Sequence, residues 1–186
     1  MSFSSLVVLA SLLLQATAQS LSITSVGAIG TGMYPRDCQG LYQLLSLWFA
    51  DFRADTGPSS APSDQRVNCQ LTLGVNVPSG YQFAFDQTIL NAAYNAGSGV
   101  KLFSSTSYYF QGQLSEAVGS CSVAGPGSSG LTTLVNKFSP ILWSPCGKSS
   151  IVSINTDLRA DNGDGKSTGY IAVRNSTDAS FIWRKC

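Results

Sequence analysis

From Cys69 the chain alternates with period two: Cys69, Leu71, Leu73, Val75 and Val77 are apolar, and Gln70, Thr72, Gly74 and Asn76 between them are polar or small. Successive side chains of an extended chain point to opposite faces, so this spacing predicts a strand with one face buried. Pro78-Ser79-Gly80 interrupts the run with a fixed φ and a residue that tolerates positive φ, and the alternation resumes at Tyr81, Phe83 and Phe85. Two strands joined by a tight turn are predicted, a hairpin forming the core pair of the molecule. The same period runs through Val100, Leu102, Ser104, Thr106, Tyr108 and Phe110, and through Ser150, Val152, Ile154, Thr156 and Leu158. Shorter strands are predicted over 131–138, 170–174 and 181–186.

Some segments are less decided. In 41–52, Leu41, Leu44, Leu45 and Trp48 fit a helical face, while the unbroken apolar run fits a strand buried on both sides. A strand is the expectation, because no capping box opens the segment and its neighbours read as strands. Residues 26–32 read as a loop or a weak first strand, and 88–95 is ambiguous. Loops are predicted at 55–64, at 119–130 around Gly125-Pro126-Gly127-Ser128-Ser129-Gly130, and at 161–165. Eight or nine short strands with turn signals between them and no long amphipathic helix predict an all-β fold, an antiparallel β-sandwich in a single domain.

Leu6 to Leu14 are almost wholly apolar and are followed by Ala16-Thr17-Ala18, which reads as a secretory signal peptide over 1–18. About nine apolar residues fall well short of the ~20 that a spanning helix needs. The expected secreted domain is 19–186, long enough to build its own core and to be found outside the cell, with no membrane attachment after the leader is removed. Eleven Lys and Arg against ten Asp and Glu are scattered along the chain, so no nucleic-acid footprint is present. Histidine is absent and Glu116 is the sole glutamate, which removes Ser-His-Asp, Cys-His and histidine–metal chemistry. No catalytic residue, metal ligand or cofactor is expected, and the chain reads as a non-enzyme.

Cys38, Cys69, Cys121, Cys146 and Cys186 contain no CxxC pair and should form disulfides outside the cell. Five choices of the odd cysteine and three pairings of the other four leave fifteen frameworks open. Asp51, Asp55 and Asp64 are the nearest approach to a carboxylate pair for glycoside hydrolysis, and the plainer expectation is that they cap loops and pair with Arg53 and Arg66. Trp48, Tyr81, Tyr108, Tyr109, Trp143 and Trp183 could stack on sugar rings or fill the core. Tyr108 and Tyr109 must point to opposite faces of one strand, so Tyr109 is the candidate exposed binding residue. Asp161, Asn162 and Asp164 lack the spacing of an EF-hand and read as a plain hairpin loop. Asn175-Ser176-Thr177 is a glycosylation sequon.

Several segments taken together resemble a family of small secreted, mostly fungal, cysteine-containing proteins known as a domain of unknown function. They are Gly30-Thr31-Gly32, PSDQRVNCQL from Pro62, VPSGYQFAF from Val77, SYYFQGQ from Ser107, WSPCG from Trp143, SINT from Ser153, and the terminal Trp183-Arg184-Lys185-Cys186. The resemblance implies a secreted, disulfide-stabilised β-sandwich. It also implies pairings Cys38–Cys69 and Cys146–Cys186 with Cys121 left free, although Met33 stands where the family's first cysteine is expected. The functional expectation is a non-catalytic extracellular binding module whose partner is a cell-wall glycan. The alternatives are a structural wall protein and a carboxylate-dependent hydrolase.

Overall fold

The computed structural model describes residues 21–31, 41–42, 45–48, 52–123, 127–163 and 165–186, the side chains of 41–48 and 175–177 excepted. The expected leader, Cys38, Asp51 and Asp164 lie outside the described residues, as do the side chains of Trp48 and Asn175. Eleven strands are described: β1 (Ser22–Ile29), β2 (Leu41–Tyr42), β3 (Leu45–Trp48), β4 (Arg53–Thr56), β5 (Arg66–Asn76), β6 (Tyr81–Ala96), β7 (Lys101–Phe110), β8 (Ala117–Val123), β9 (Ser128–Lys137), β10 (Ser150–Asp161) and β11 (Gly169–Lys185). One sheet has the order β1-β5-β10-β7-β8, the other β2-β3-β11-β6-β9 with β4 also paired to β11. Every pairing is antiparallel. The alternating apolar rows of the two sheets face one another, which makes the molecule the β-sandwich that the periodicity predicts.

The segment 66–85 is not a hairpin. β5 pairs with β1 and β10, and β6 with β11 and β9, so the Pro78-Ser79-Gly80 turn carries the chain from one sheet to the other. Its two buried rows meet across the core: Leu71, Leu73 and Val75 from β5 lie in one apolar cluster with Phe83 and Phe85 from β6. A period of two identifies the buried face of each strand but not its hydrogen-bonded neighbour. The loop at 161–165 likewise joins strands of different sheets, β10 and β11, and is not a hairpin loop.

Two bulges account for the other departures. Ser180 opposes Gln87 and Phe181 opposes Phe85, which leaves Asp86 as an extra residue in β6. The inward positions therefore change from Phe83 and Phe85 to Thr88, Leu90 and Ala92, and this phase change makes 88–95 ambiguous in sequence. The side chain of Asp86 accepts a 2.5 Å hydrogen bond from the Ser180 hydroxyl. On β11 the register shifts between Val173 and Thr177, so the two strands predicted at 170–174 and 181–186 are one strand with a bulge. Residues 119–123, predicted as loop, belong to β8.

A polar layer divides the core. The buried hydroxyls of Thr88, Thr106 and Thr156 are linked at 3.0 and 3.3 Å, and the fully buried Asn136 amide donates to Ser104 and Thr106 at 2.9 and 3.0 Å. Aromatic rings fill the half around Phe83, Phe85, Tyr108 and Phe110, whereas the half around Leu90, Leu102, Leu158 and Ile171 is mostly aliphatic, with Phe52 as its buried ring. Where the sheet edges β8 and β9 meet, a Cβ on Gly119 would lie 2.6 Å from the backbone oxygen of Lys137. Only glycine allows this approach, and the amide of Ser139 donates to the Val118 carbonyl beside it at 3.2 Å.

Candidate functional site

The outer face of the five-stranded sheet is built by the residues that alternate with its buried rows. With Leu102, Ser104, Thr106, Tyr108 and Phe110 of β7 inside, Phe103, Ser105, Ser107 and Tyr109 point outward. Register carries this face sideways in rows. Tyr109 is opposite Ser153 and then Thr72, Ser107 is opposite Asn155 and then Gln70, and Ser105 is opposite Asp157 and then Asn68. On the other side Val118 and Ser120 of β8 oppose Ser107 and Ser105. The surface is thus a lattice of hydroxyl and amide groups, several tied to each other: Thr72 to Ser153 at 3.4 Å and Asn68 to Asn155 at 3.3 Å.

A groove of about 440 Å³ crosses this face, lined by Arg66, Phe103, Ser107, Glu116, Val118 and Asp157 among others. The Arg66 guanidinium is bonded to the Asp157 carboxylate. Arg159 and Glu116 are the other charged groups of the lining, so two positive and two negative charges cancel. Two aromatic rings stand on the face: Phe103, 38% exposed, in the groove, and Tyr109, 40% exposed, on the same strand but not part of the groove lining.

The sequence candidates separate on this map. Tyr108 and Tyr109 point to opposite faces, as their adjacency requires: Tyr108 is fully buried and Tyr109 is exposed. Trp183 packs partly buried against the core, and Trp143 lies beneath the Arg184 guanidinium, 4.1 Å from its ring centre. Asp55 and Asp64 are neighbours, since the Asp55 amide donates to the Asp64 carbonyl at 2.8 Å. Their carboxylates are engaged locally, that of Asp55 by Arg53 at 2.7 and 2.6 Å, that of Asp64 by the Ala61 amide at 3.0 Å. Arg66 does not pair with Asp64: it faces outward from β5 and meets Asp157 diagonally across the β10 ladder. The groove instead brings together Glu116 and Asp157, 41 positions apart in the chain, which no local pattern could signal. In the 161–165 loop the Asn162 amide donates to the Ser167 carbonyl at 3.0 Å and Asp161 accepts from the Gly163 amide at 2.9 Å.

Cys146 and Cys186 are joined in a disulfide, as the resemblance implies. Cys121 keeps a thiol that donates weakly to the Ser122 carbonyl, and Cys69 is buried in the core. The expected partner of Cys69, Cys38, lies outside the described residues.

The family model described as Domain of unknown function (DUF4360) matches residues 19–186. The chain belongs to this family. A curated relative, an "Uncharacterized secreted protein" from the fungus Arthroderma benhamiae, is 30% identical over 152 residues, which cover 77% of this chain and 61% of that protein. This DUF4360 chain is likewise secreted, which accords with its oxidised cysteine pair. Two solved structures are similar at low sequence identity. One is TmCBM61 in complex with β-1,4-galactotriose, 14% identical, covering 91% of this chain and 90% of that one, with a TM-score of 0.26. The other is a family 11 carbohydrate-binding module from Clostridium thermocellum in complex with a β-1,3-1,4-mixed-linked tetrasaccharide, 13% identical, covering 87% and 96%, with a TM-score of 0.27. At those TM-scores the likeness adds nothing to the fold already described.

Four of the segments that carry the DUF4360 resemblance, VPSGYQFAF, SYYFQGQ, WSPCG and the terminal Trp183-Arg184-Lys185-Cys186, meet at one end of the sandwich. The Gln82 amide donates to the Ser144 carbonyl at 2.5 Å and its oxygen accepts from Arg184 at 2.9 Å. The Phe83 amide donates to the Ser144 hydroxyl at 3.0 Å, the Gln113 amide to the Trp143 carbonyl at 3.2 Å, and the Cys186 amide to the Gly80 carbonyl at 3.0 Å. These groups satisfy each other and build a corner of the fold, while other motif residues, Asn68, Gln70, Ser107, Tyr109, Ser153 and Asn155, stand in the rows of the sheet face.

Proposed function

We propose that the outer face of the five-stranded sheet binds a neutral glycan chain of the cell wall and does not cleave it. The observation that carries this reading is the pair of exposed rings, Phe103 and Tyr109, on a face that otherwise carries hydroxyls, amides, cancelled charges and the aliphatic side chains of Val118 and Ile151. A solvated antiparallel face needs polar residues but not aromatic ones. Aromatic faces pack against the C–H faces of sugar rings, and the hydroxyl and amide lattice supplies directional hydrogen bonds. The rings are six residues apart on β7, roughly 20 Å at ~3.4 Å per residue, a span suited to several linked sugars.

A glycan array carrying neutral wall polysaccharides is the direct test. Binding is expected, and Phe103→Ala or Tyr109→Ala should each weaken it about tenfold, the equivalent of ~1.4 kcal/mol for one stacked ring. An array with no bound glycan overturns the reading. Cleavage is a second reading favoured by one observation, Glu116 and Asp157 in a single groove. Asp157 is committed to Arg66, which leaves Glu116 without an open carboxylate partner there. No new reducing ends are expected from a bound glycan. Their release by the native chain but not by Glu116→Gln would establish a hydrolase.

A further inference from the structure

A second cavity, also of about 440 Å³, lies on the other sheet, at the end where β4, β11 and β6 run side by side. Asp55 is opposite Tyr170, and Tyr170 is opposite Asn95, so these three residues form one row across three strands. Asp55 grips the Arg53 guanidinium at 2.7 and 2.6 Å, and that guanidinium lies 4.0 Å from the centre of the Tyr170 ring. Ion pair, ring and amide are thereby held in fixed relation. The walls are pinned as well: the Gly97 amide donates to the Thr168 carbonyl at 3.1 Å, and a Cβ at residue 97 would come within 2.4 Å of that oxygen. Thr56 also lines the cavity, and its buried hydroxyl has no hydrogen-bond partner among the described residues.

We infer that this cavity is a separate binding site for a neutral sugar. Its two charges are Arg53 and Asp55, and they neutralise each other in a two-point pair, so nothing in it favours an anion or a cation. Its polar groups are hydroxyls and the Asn95 amide, which donate and accept at once, as the hydroxyls of a sugar do. Pro58 and the Tyr170 ring, one face of which carries the Arg53 guanidinium, supply its apolar lining. The volume falls in the lower part of the ~300–1,000 Å³ range of ligand cavities. The site does not depend on the groove, since it lies on the opposite sheet.

The test is a series of amide NMR titrations of the oxidised protein with glucose, galactose, mannose and N-acetylglucosamine, and with glucuronate as an anionic counterpart. At least one neutral sugar is expected to give saturable shifts at Arg53, Asp55, Thr56, Asn95 and Tyr170, and glucuronate none. Asn95→Ala, an exposed change, and Tyr170→Ala should each weaken that binding about tenfold, while Tyr170→Phe keeps the ring and the affinity. Phe103→Ala, which removes the ring that lines the proposed groove, should leave these shifts unchanged. Absence of saturable shifts with every neutral sugar, shifts confined to the groove, or tighter binding of glucuronate overturns the inference.

Discussion

Tyr108 shows how one side chain joins core, loop and register. Its ring is fully buried, edge-on to Phe85 and Phe138 with centres 5.1 and 4.7 Å away. Its hydroxyl lies 3.1 Å from the Phe85 carbonyl and 2.8 Å from the Leu142 carbonyl, and it accepts from the Leu142 amide at 3.1 Å. Tyr108→Phe keeps the ring and strips these backbone groups of their partner, so a loss of about 1–3 kcal/mol in urea unfolding is expected. Burial pushes the Tyr108 phenol above its ordinary value of 10.0, against the pull of the Leu142 hydrogen bond. A raised folded-state value means that the unfolded chain loses its proton first. Stability from this group is therefore complete below about pH 10 and falls as pH rises from there through the folded value. The gap in unfolding midpoint between the native chain and Tyr108→Phe should narrow across that range, and a constant gap would refute the linkage. The opposed directions of Tyr108 and Tyr109 were legible in sequence because strand geometry alone decides them. The partner of Arg66 was not, because Asp157 is 91 residues away and is set beside it by sheet pairing.

At the scale of the strand, period two finds β7 to within one residue and β5 and β10 to within three at one end, since each keeps one phase from end to end. It failed on β6 and β11 for a physical reason: a bulge changes the phase of one and interrupts the other, so a continuous strand reads as fragments. Residues 119–123 of the short β8 read as loop in sequence because Gly119, Ser120 and Ser122 carry no apolar signal. Yet β8 closes one side of the sandwich, and Gly119 is the residue that lets it approach the end of β9. Gly119→Ala places a Cβ against the Lys137 carbonyl, a backbone atom that cannot swing aside as a flexible side chain can. A loss of about 1–3 kcal/mol is expected. Hydrogen exchange should show the added opening in β8 and β9 first, and uniform loosening of both sheets would argue against a local seam.

Across the whole molecule, the sandwich is legible because the count of alternating segments leaves few architectures, whereas the assignment of strands to sheets depends on pairings such as that of Gln82 with Arg184, 102 positions apart. The Cys146–Cys186 bridge fastens that long-range pairing. It closes a separation of 40 residues and ties the end of β11 to the segment that lies against Gln82 and Phe83. Most of its effect falls on the unfolded chain, so replacing both cysteines by serine should cost about 2–4 kcal/mol, while the ladder between β11 and β6 keeps the fold in place. Non-reducing peptide mapping of the secreted protein is expected to begin at Gln19, to recover the Cys146–Cys186 link and to find Cys121 as a thiol; Cys121 in an intramolecular bridge would overturn the Cys38–Cys69 pairing. The groove lies on the five-stranded sheet and the bridge fastens the end of a strand in the other. Glycan affinity measured well below the unfolding midpoint should therefore be the same with and without the disulfide, and a parallel loss of affinity and stability would place the binding surface at the motif-rich corner instead.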